Sequence, residues 1–159
     1  MSKLEEESRE LRKIQDKLLE EIREFKMAQD KLASILYKLT PPIEEEALDV
    51  VRRRLKDELG LDIKLDKIIV NDREINVYGS SADLCVIGDA IVKLKEEDVK
   101  EFEEKIKLFR EVKPELIKSK MIKVIYVDYA FPGVVDLARE YGIWVLNWKG
   151  DITPIKIHS

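Results

Sequence analysis

The chain has 159 residues, 45% of them apolar and 39% charged, which suits one ordinary domain with a buried core plus an appendage. Lys and Arg number 29 against 33 for Asp and Glu, a net charge of −4; this excludes global attraction to polyanions and leaves any nucleic-acid contact to a local patch. A single cysteine, Cys85 in an apolar run, excludes a disulfide framework and a cysteine metal cluster, while the lack of a membrane-length apolar run or a signal-peptide pattern predicts a cytoplasmic protein without a membrane partner. Lys and Glu dominate the charges, an excess associated with proteins that work at high temperature.

From the N-terminus an apolar residue recurs at every seventh position: Leu4, Leu11, Leu18, Phe25, Leu32 and Leu39. This predicts a coiled-coil helix over residues 1–40 that self-associates through those six positions. Taken as a positions, they leave Glu7, Ile14, Glu21, Ala28 and Ile35 at d, with Ile22 and Leu36 widening the stripe at e. The seam is therefore complete at a and imperfect at d, which suits a modest dimer or a helix leaning on its own domain. Nine basic residues balance nine acidic ones along this segment, so it does not read as a basic DNA-binding arm.

Thr40-Pro41-Pro42 ends the helix, because proline lacks the amide donor and pushes its predecessor out of helical geometry, and a second domain is expected over 41–159. A helix is predicted from Ile43 to Leu59, with Gly60 as its stop; Glu44, Glu45 and Glu46 in its first turn meet the positive end of the helix dipole. Strands are predicted over Ile63–Val70 and Glu74–Tyr78 around an Asn71-Asp72 turn. Next, Gly88-Asp89 reads as a tight turn between strands Leu84–Ile87 and Ala90–Leu94. In that hairpin Asp83 opens the first strand, and Lys93 and Lys95, two apart, share one face near the end of the second. A helix over Asp98–Val112, a buried strand over Met121–Val127, a short helix over Gly133–Tyr141, a buried strand over Ile143–Trp148 and an edge strand over Ile152–Ile157 complete the chain. The fold class is α/β, a mixed sheet flanked by helices after a long N-terminal helix.

An acid at the start of a hairpin and a lysine at its end resemble the PD-(D/E)XK nuclease superfamily, in which an Asp on one strand is followed, one hairpin later, by Glu-x-Lys. The likeness covers roughly residues 43–148. It is strongest to archaeal proteins that join an N-terminal coiled coil to a nuclease-like domain, and is carried by Tyr78-Gly79-Ser80-Ser81-Ala82-Asp83, by Glu97-Asp98-Val99-Lys100-Glu101-Phe102 with Lys105, Leu108 and Phe109, and by Ala138-Arg139-Glu140-Tyr141-Gly142-Ile143-Trp144-Val145. The resemblance implies a restriction-endonuclease-like fold. It implies Asp83 and Glu46 as metal-binding acids, with Glu45 in place of Glu46 if the register slips, and Lys95 as the catalytic lysine beside Asp83 and Glu46.

Such sites hold Mg²⁺ or Mn²⁺ on carboxylate oxygens. Here the tripeptide reads Lys93-Leu94-Lys95, and an ammonium at Lys93 would repel a divalent ion by about a few kcal/mol at intermediate dielectric. The expectation is therefore a degenerate, non-catalytic module without a cofactor, binding nucleic-acid backbone through Lys93, Lys95, Lys100 and Lys105 or serving in assembly. The alternatives are an active Mg²⁺- or Mn²⁺-dependent endonuclease completed by Glu96, Glu97 or Glu101, and a purely structural protein. His158 reads as a solvated tail residue, Trp144 and Trp148 as core and core rim, and Arg52-Arg53-Arg54 as a solvated surface run.

Overall fold

The computed structural model describes residues 2–39 and 42–159, apart from the side chains of residues 37–39, and the chain divides into two compact units, Met1–Pro41 and Pro42–Ser159. The first is one helix, α1 (Lys3–Leu39). Its described a positions, Leu4, Leu11, Leu18, Phe25 and Leu32, are all more than half exposed, as are Ile14 and Ile22. The heptad thus forms a continuous helix with its apolar seam in water. Leu39 lies in the helix, with its side chain outside the described residues.

The second unit runs α2 (Ile43–Leu59), β1 (Asp66–Val70), β2 (Arg73–Ser81), β3 (Leu84–Leu94), α3 (Glu96–Val112), a 3-10 turn at Pro114–Leu116, β4 (Lys120–Ala130), α4 (Pro132–Glu140), β5 (Trp144–Asn147), β6 (Gly150–Asp151) and β7 (Ile157–His158). One mixed sheet has the order β1-β2-β3-β4-β5-β6, with β7 pairing β4. The meander β1-β2-β3 is antiparallel. Helices α3 and α4 then serve as the crossovers that let β4 and β5 run parallel to β3. The strict alternation of buried apolar residues along β3 and β4 supplies two cores. Cys85, Ile87, Met121, Ile125 and Val127 face α3 and α4, whereas Leu84, Val86, Ile122, Val124 and Tyr126 face Ala47, Val51 and Leu55 of α2. Helix, sheet and helices make three layers.

The Gly88-Asp89 turn is corrected by this topology, because β3 is one strand of 11 residues that carries both in its middle. Gly88 is there for close packing and not for bending: a Cβ at that position would collide with the carbonyl oxygen of Val124 on β4. The hairpin turns instead at Ala82-Asp83, between the paired residues Ser81 and Leu84, and Ala82 takes a left-handed φ of 54°. The preceding turn agrees with its sequence. Asn71 and Asp72, with φ of 49° and 62°, join Val70 to Arg73 as a two-residue loop with both central residues left-handed.

The C-terminal edge strand is also corrected, since Ile152–Ile157 is replaced by the two-residue pieces β6 and β7. Thr153 supplies the reason. Its buried hydroxyl donates to the Ile143 carbonyl and accepts from the Val145 amide, each at 2.6 Å, and the Ile152 and Thr153 amides both donate to the Val145 carbonyl, so the segment folds onto β5 around one residue instead of continuing as a regular ladder. His158 is half-buried and not a free tail residue: its ring Nε2 lies 2.9 Å from the Gly142 carbonyl oxygen.

Candidate functional site

The expected constellation of Asp83, Glu46, Lys93 and Lys95 does not assemble. Asp83 lies in the turn before β3 and Lys95 lies beyond its far end. At about 3.3 Å per residue the eleven residues between them hold the two more than about 30 Å apart. Asp83 is exposed and pairs with Lys120, Nζ to Oδ2 at 3.6 Å, while its carbonyl accepts the Lys120 amide. Lys93 and Lys95 are exposed. Lys95 immediately precedes α3, where its amide donates to the Asp98 carboxylate at 2.9 Å and begins the helix. Lys100 is exposed one turn further on. Glu46 lies on α2, beside Tyr126 on the α2 face of the sheet.

A different group converges in the middle of the sheet. The paired register of β1 and β2 shifts so that one residue, Lys67, faces two, Asn76 and Val77, the signature of a β-bulge. From that point the backbone ladder between β2 and β3, regular from Ser81–Leu84 to Val77–Gly88, gives way to side chains. The Asn76 side-chain oxygen accepts the Ala90 amide at 3.0 Å, and the Asn76 amide points to Asp89 Oδ1 at 3.5 Å. Lys105, reaching in from α3, closes the gap by donating to Asp89 Oδ2 at 2.8 Å and to the Glu74 carbonyl at 2.9 Å. Five residues from three elements thus share one network.

Electrostatically this is a buried ion pair. The side chains of Asp89 and Lys105 retain only 9% and 16% of their exposure. Burial pushes the Asp89 carboxyl above its usual range, and the Lys105 ammonium is the main force holding it down, with the nearby Glu74 carboxylate adding a smaller upward push. The pair sits on the α3 face, whereas Glu46 sits on the α2 face, so Asp89 and Glu46 are separated by the sheet itself. The donor set does not fit a divalent ion: one carboxylate, already neutralised by an ammonium, and one neutral amide offer too little anionic oxygen to a hard cation. Among the described residues no group of three or more His, Cys, Asp or Glu side chains converges on a metal-sized space.

The α2 face holds a second buried polar group. Among the described residues the Tyr126 hydroxyl has no hydrogen-bond partner, and burial, followed by the neighbouring Glu46 carboxylate, pushes its pKa upward. Nearby, Arg54 is not part of a uniformly solvated run: it binds Asp151 at 2.8 Å, and Asp151 also accepts from the Trp144 indole nitrogen at 2.8 Å. Trp144 is fully buried, as expected, whereas Trp148 is 68% exposed and is not core rim. Asn76, Asp89 and Lys105 are linked in one network, although they lie on β2, β3 and α3. The available signal was a lone acid, Asp89, inside an otherwise apolar run, which must find a cation when buried.

No helix among the described residues is long and apolar enough to cross a membrane. No curated protein and no solved structure matches the chain. A family model described as a domain of unknown function, DUF8196, matches residues 45–155, which takes in all but the first two residues of α2, the bulge and every member of the Asp89 network, and the chain belongs to that family.

Proposed function

We propose that this protein is a nuclease-like, catalytically silent assembly module of the cytoplasm, in which α1 self-associates and the globular domain is the part presented. One observation carries the reading: the acid in the middle of β3 is committed to an ion pair with Lys105. Laid on the observed hairpin, the PD-(D/E)XK pattern of an acid on one strand and Glu-x-Lys on the next falls on Asn76 and on Asp89-Ala90-Ile91. Asn76 is neutral, Ile91 is apolar, and the one remaining carboxylate, Asp89, is already paired with the Lys105 ammonium. The meander, the crossover helix and the parallel strand β4 are consistent with such a fold, but a site and not a fold carries function.

The test is Mn²⁺ titration followed by electron paramagnetic resonance, alongside incubation of plasmid DNA and of structured RNA with Mg²⁺ or Mn²⁺. The native chain is expected to show no saturable Mn²⁺ binding at submillimolar metal and no cleavage. The double variant Asn76→Asp, Lys105→Gln is expected to gain Mn²⁺ affinity by at least about tenfold, because a second carboxylate is supplied and the competing ammonium is removed. Metal-dependent cleavage by the native chain that is lost in Asp89→Asn would refute the proposal.

A second reading, nucleic-acid binding, is favoured by one placement. Lys93 is the lateral neighbour of Tyr129 on β4, and Tyr129 stacks edge-on against Phe131 at 5.1 Å, so two exposed aromatic rings adjoin exposed lysines at one end of the sheet. Lys105 no longer belongs to that set, being engaged with Asp89. The acidic first turn of α3, Glu96, Glu97 and Asp98, stands beside the same lysines and weakens their field. Binding to single-stranded DNA that weakens steeply with salt and is lost in Lys93→Glu would favour this reading.

A further inference from the structure

We propose that α1 pairs with α1 of a second copy of this chain in the antiparallel sense, in the register that sets Glu10 against Lys31 and Lys17 against Glu24 of the other copy. This rests on the self-association proposed above and adds its orientation and register. The occupant of the seam is chosen by its charges. With Leu4, Leu11, Leu18, Phe25 and Leu32 at a, the e row is Ser8, Gln15, Ile22, Gln29 and Leu36, with no charge at all. The g row is Lys3, Glu10, Lys17, Glu24, Lys31 and Lys38, every member charged.

In a parallel pair each g side chain leans across the seam toward an e residue of the partner. Here that would leave all the flanking charges without a mate. Reversing one helix brings g against g and e against e. The alternation of sign from Glu10 to Lys31 then pairs Glu10 with Lys31 and Lys17 with Glu24, and the twofold axis repeats both contacts, giving four attractive pairs. A shift of one heptad in one direction sets Lys3 against Lys31, Glu10 against Glu24 and Lys17 against itself, all repulsive. The opposite shift sets Lys17 against Lys31 and Glu24 against itself, three repulsive contacts with the twofold repeat, against the two attractive Glu10–Lys38 contacts it makes. Only one full-length register is thus electrostatically matched, and like charges across a seam act as a rejection of the others. Its like-charged contact, Lys3 with Lys38, is also repeated by the axis and falls at the two ends of the seam.

The same register also fits by size. Antiparallel layers place a against d, so Leu11 meets the small Ala28, Phe25 meets Ile14 and Leu4 meets Ile35. The exposed seam residues contributing to these layers, Leu4, Leu11, Ile14, Phe25 and Ile35, are 44–77% exposed in the single chain and all gain cover. Glu7 and Glu21 occupy the remaining d positions against Leu32 and Leu18, which limits the pair to moderate strength.

Spin-label distances in the full chain test the orientation. Native Cys85 is fully buried, so the unmodified protein serves as the unlabelled control. A label at Arg9→Cys is expected to show an axial offset of about 32 Å from its mate, and one at Glu20→Cys almost none. Charge reversal gives an independent readout. Lys17→Glu is expected to weaken self-association about tenfold, and adding Glu24→Lys is expected to restore it to within about twofold. Short separations at both label sites, or a Lys17→Glu effect that Glu24→Lys does not rescue, would overturn the antiparallel register while leaving self-association standing. A native chain that sediments as a monomer throughout would overturn both.

Discussion

Lys105→Met removes the cation from the Asp89 network while keeping a flexible apolar stem of similar length. At 2.8 Å and an effective dielectric of about 20, the gross attraction lost is about 6 kcal/mol. Most of it is offset in the native protein by desolvation of both ions, so the relevant quantity is the penalty of leaving one buried charge alone, about 3–5 kcal/mol. Asp89 has an escape through protonation. Folding raises its pKa, so between its unfolded and folded values the native state binds more protons than the unfolded chain, and stability falls as pH rises through that interval. Without Lys105, the main force opposing the rise, the interval extends upward. The expected loss is therefore about 3 kcal/mol at pH 8, shrinking steadily toward pH 5. Urea unfolding followed by the fluorescence of buried Trp144 at several pH values measures it. Adding Asp89→Asn removes the buried charge and should recover more than half the deficit at pH 8. A variant within about 0.5 kcal/mol of native at pH 8, or a deficit that grows on acidification, would refute this account of the pair.

Gly88→Ala is expected to destabilise by at least about 2 kcal/mol, because its methyl would meet the main-chain oxygen of Val124 and the two central strands must separate to admit it; thermal unfolding provides the check. Ala82→Gly should instead raise stability by about 0.5 kcal/mol, since glycine accepts the left-handed conformation at no steric cost, and a loss in urea midpoint would count against the turn described. Tyr126→Phe deletes a buried hydroxyl that has no hydrogen-bond partner among the described residues. It should be neutral or stabilising by up to about 1 kcal/mol, and a loss beyond that would reveal a partner for the hydroxyl.

Periodicity carried most of the architecture. The heptad gave α1, the spacing of Val99, Phe102, Ile106 and Phe109 gave α3, and continuous apolar runs gave β4 and β5, because each of these signals is the trace of one buried face. The centre of the sheet was misread because glycine has two physical uses. Gly88-Asp89 has the composition of a tight turn, but the glycine is demanded by the approach of β4, a long-range fact with no local signature. The true turn, Ser81-Ala82-Asp83-Leu84, places an alanine in left-handed geometry, which turn chemistry does not advertise. That one exchange moved the strand boundary and with it the whole candidate site: Asp83 left the sheet, Asp89 entered it, and Lys105 changed from a surface lysine to the partner of a buried acid. Glu46 was placed on the correct helix. Only the packing of α2 on the opposite face from α3 shows that it cannot meet Asp89.

The ends of the sheet have a consequence for how copies of this protein can join. A sheet can grow by recruiting a strand at an unpaired edge, which is the usual seed of amyloid-like association. Here one edge is β1, a strand of five residues whose outer positions include charged Asp66 and Lys67 and whose register is interrupted by the bulge. The other side ends in β6 and β7, each only two residues long. Neither offers a long, flat, apolar template. Crowded or heated samples should therefore resist edge-to-edge polymerisation even though Ile69 of β1 is exposed, which leaves ordered contact between copies to helical surfaces.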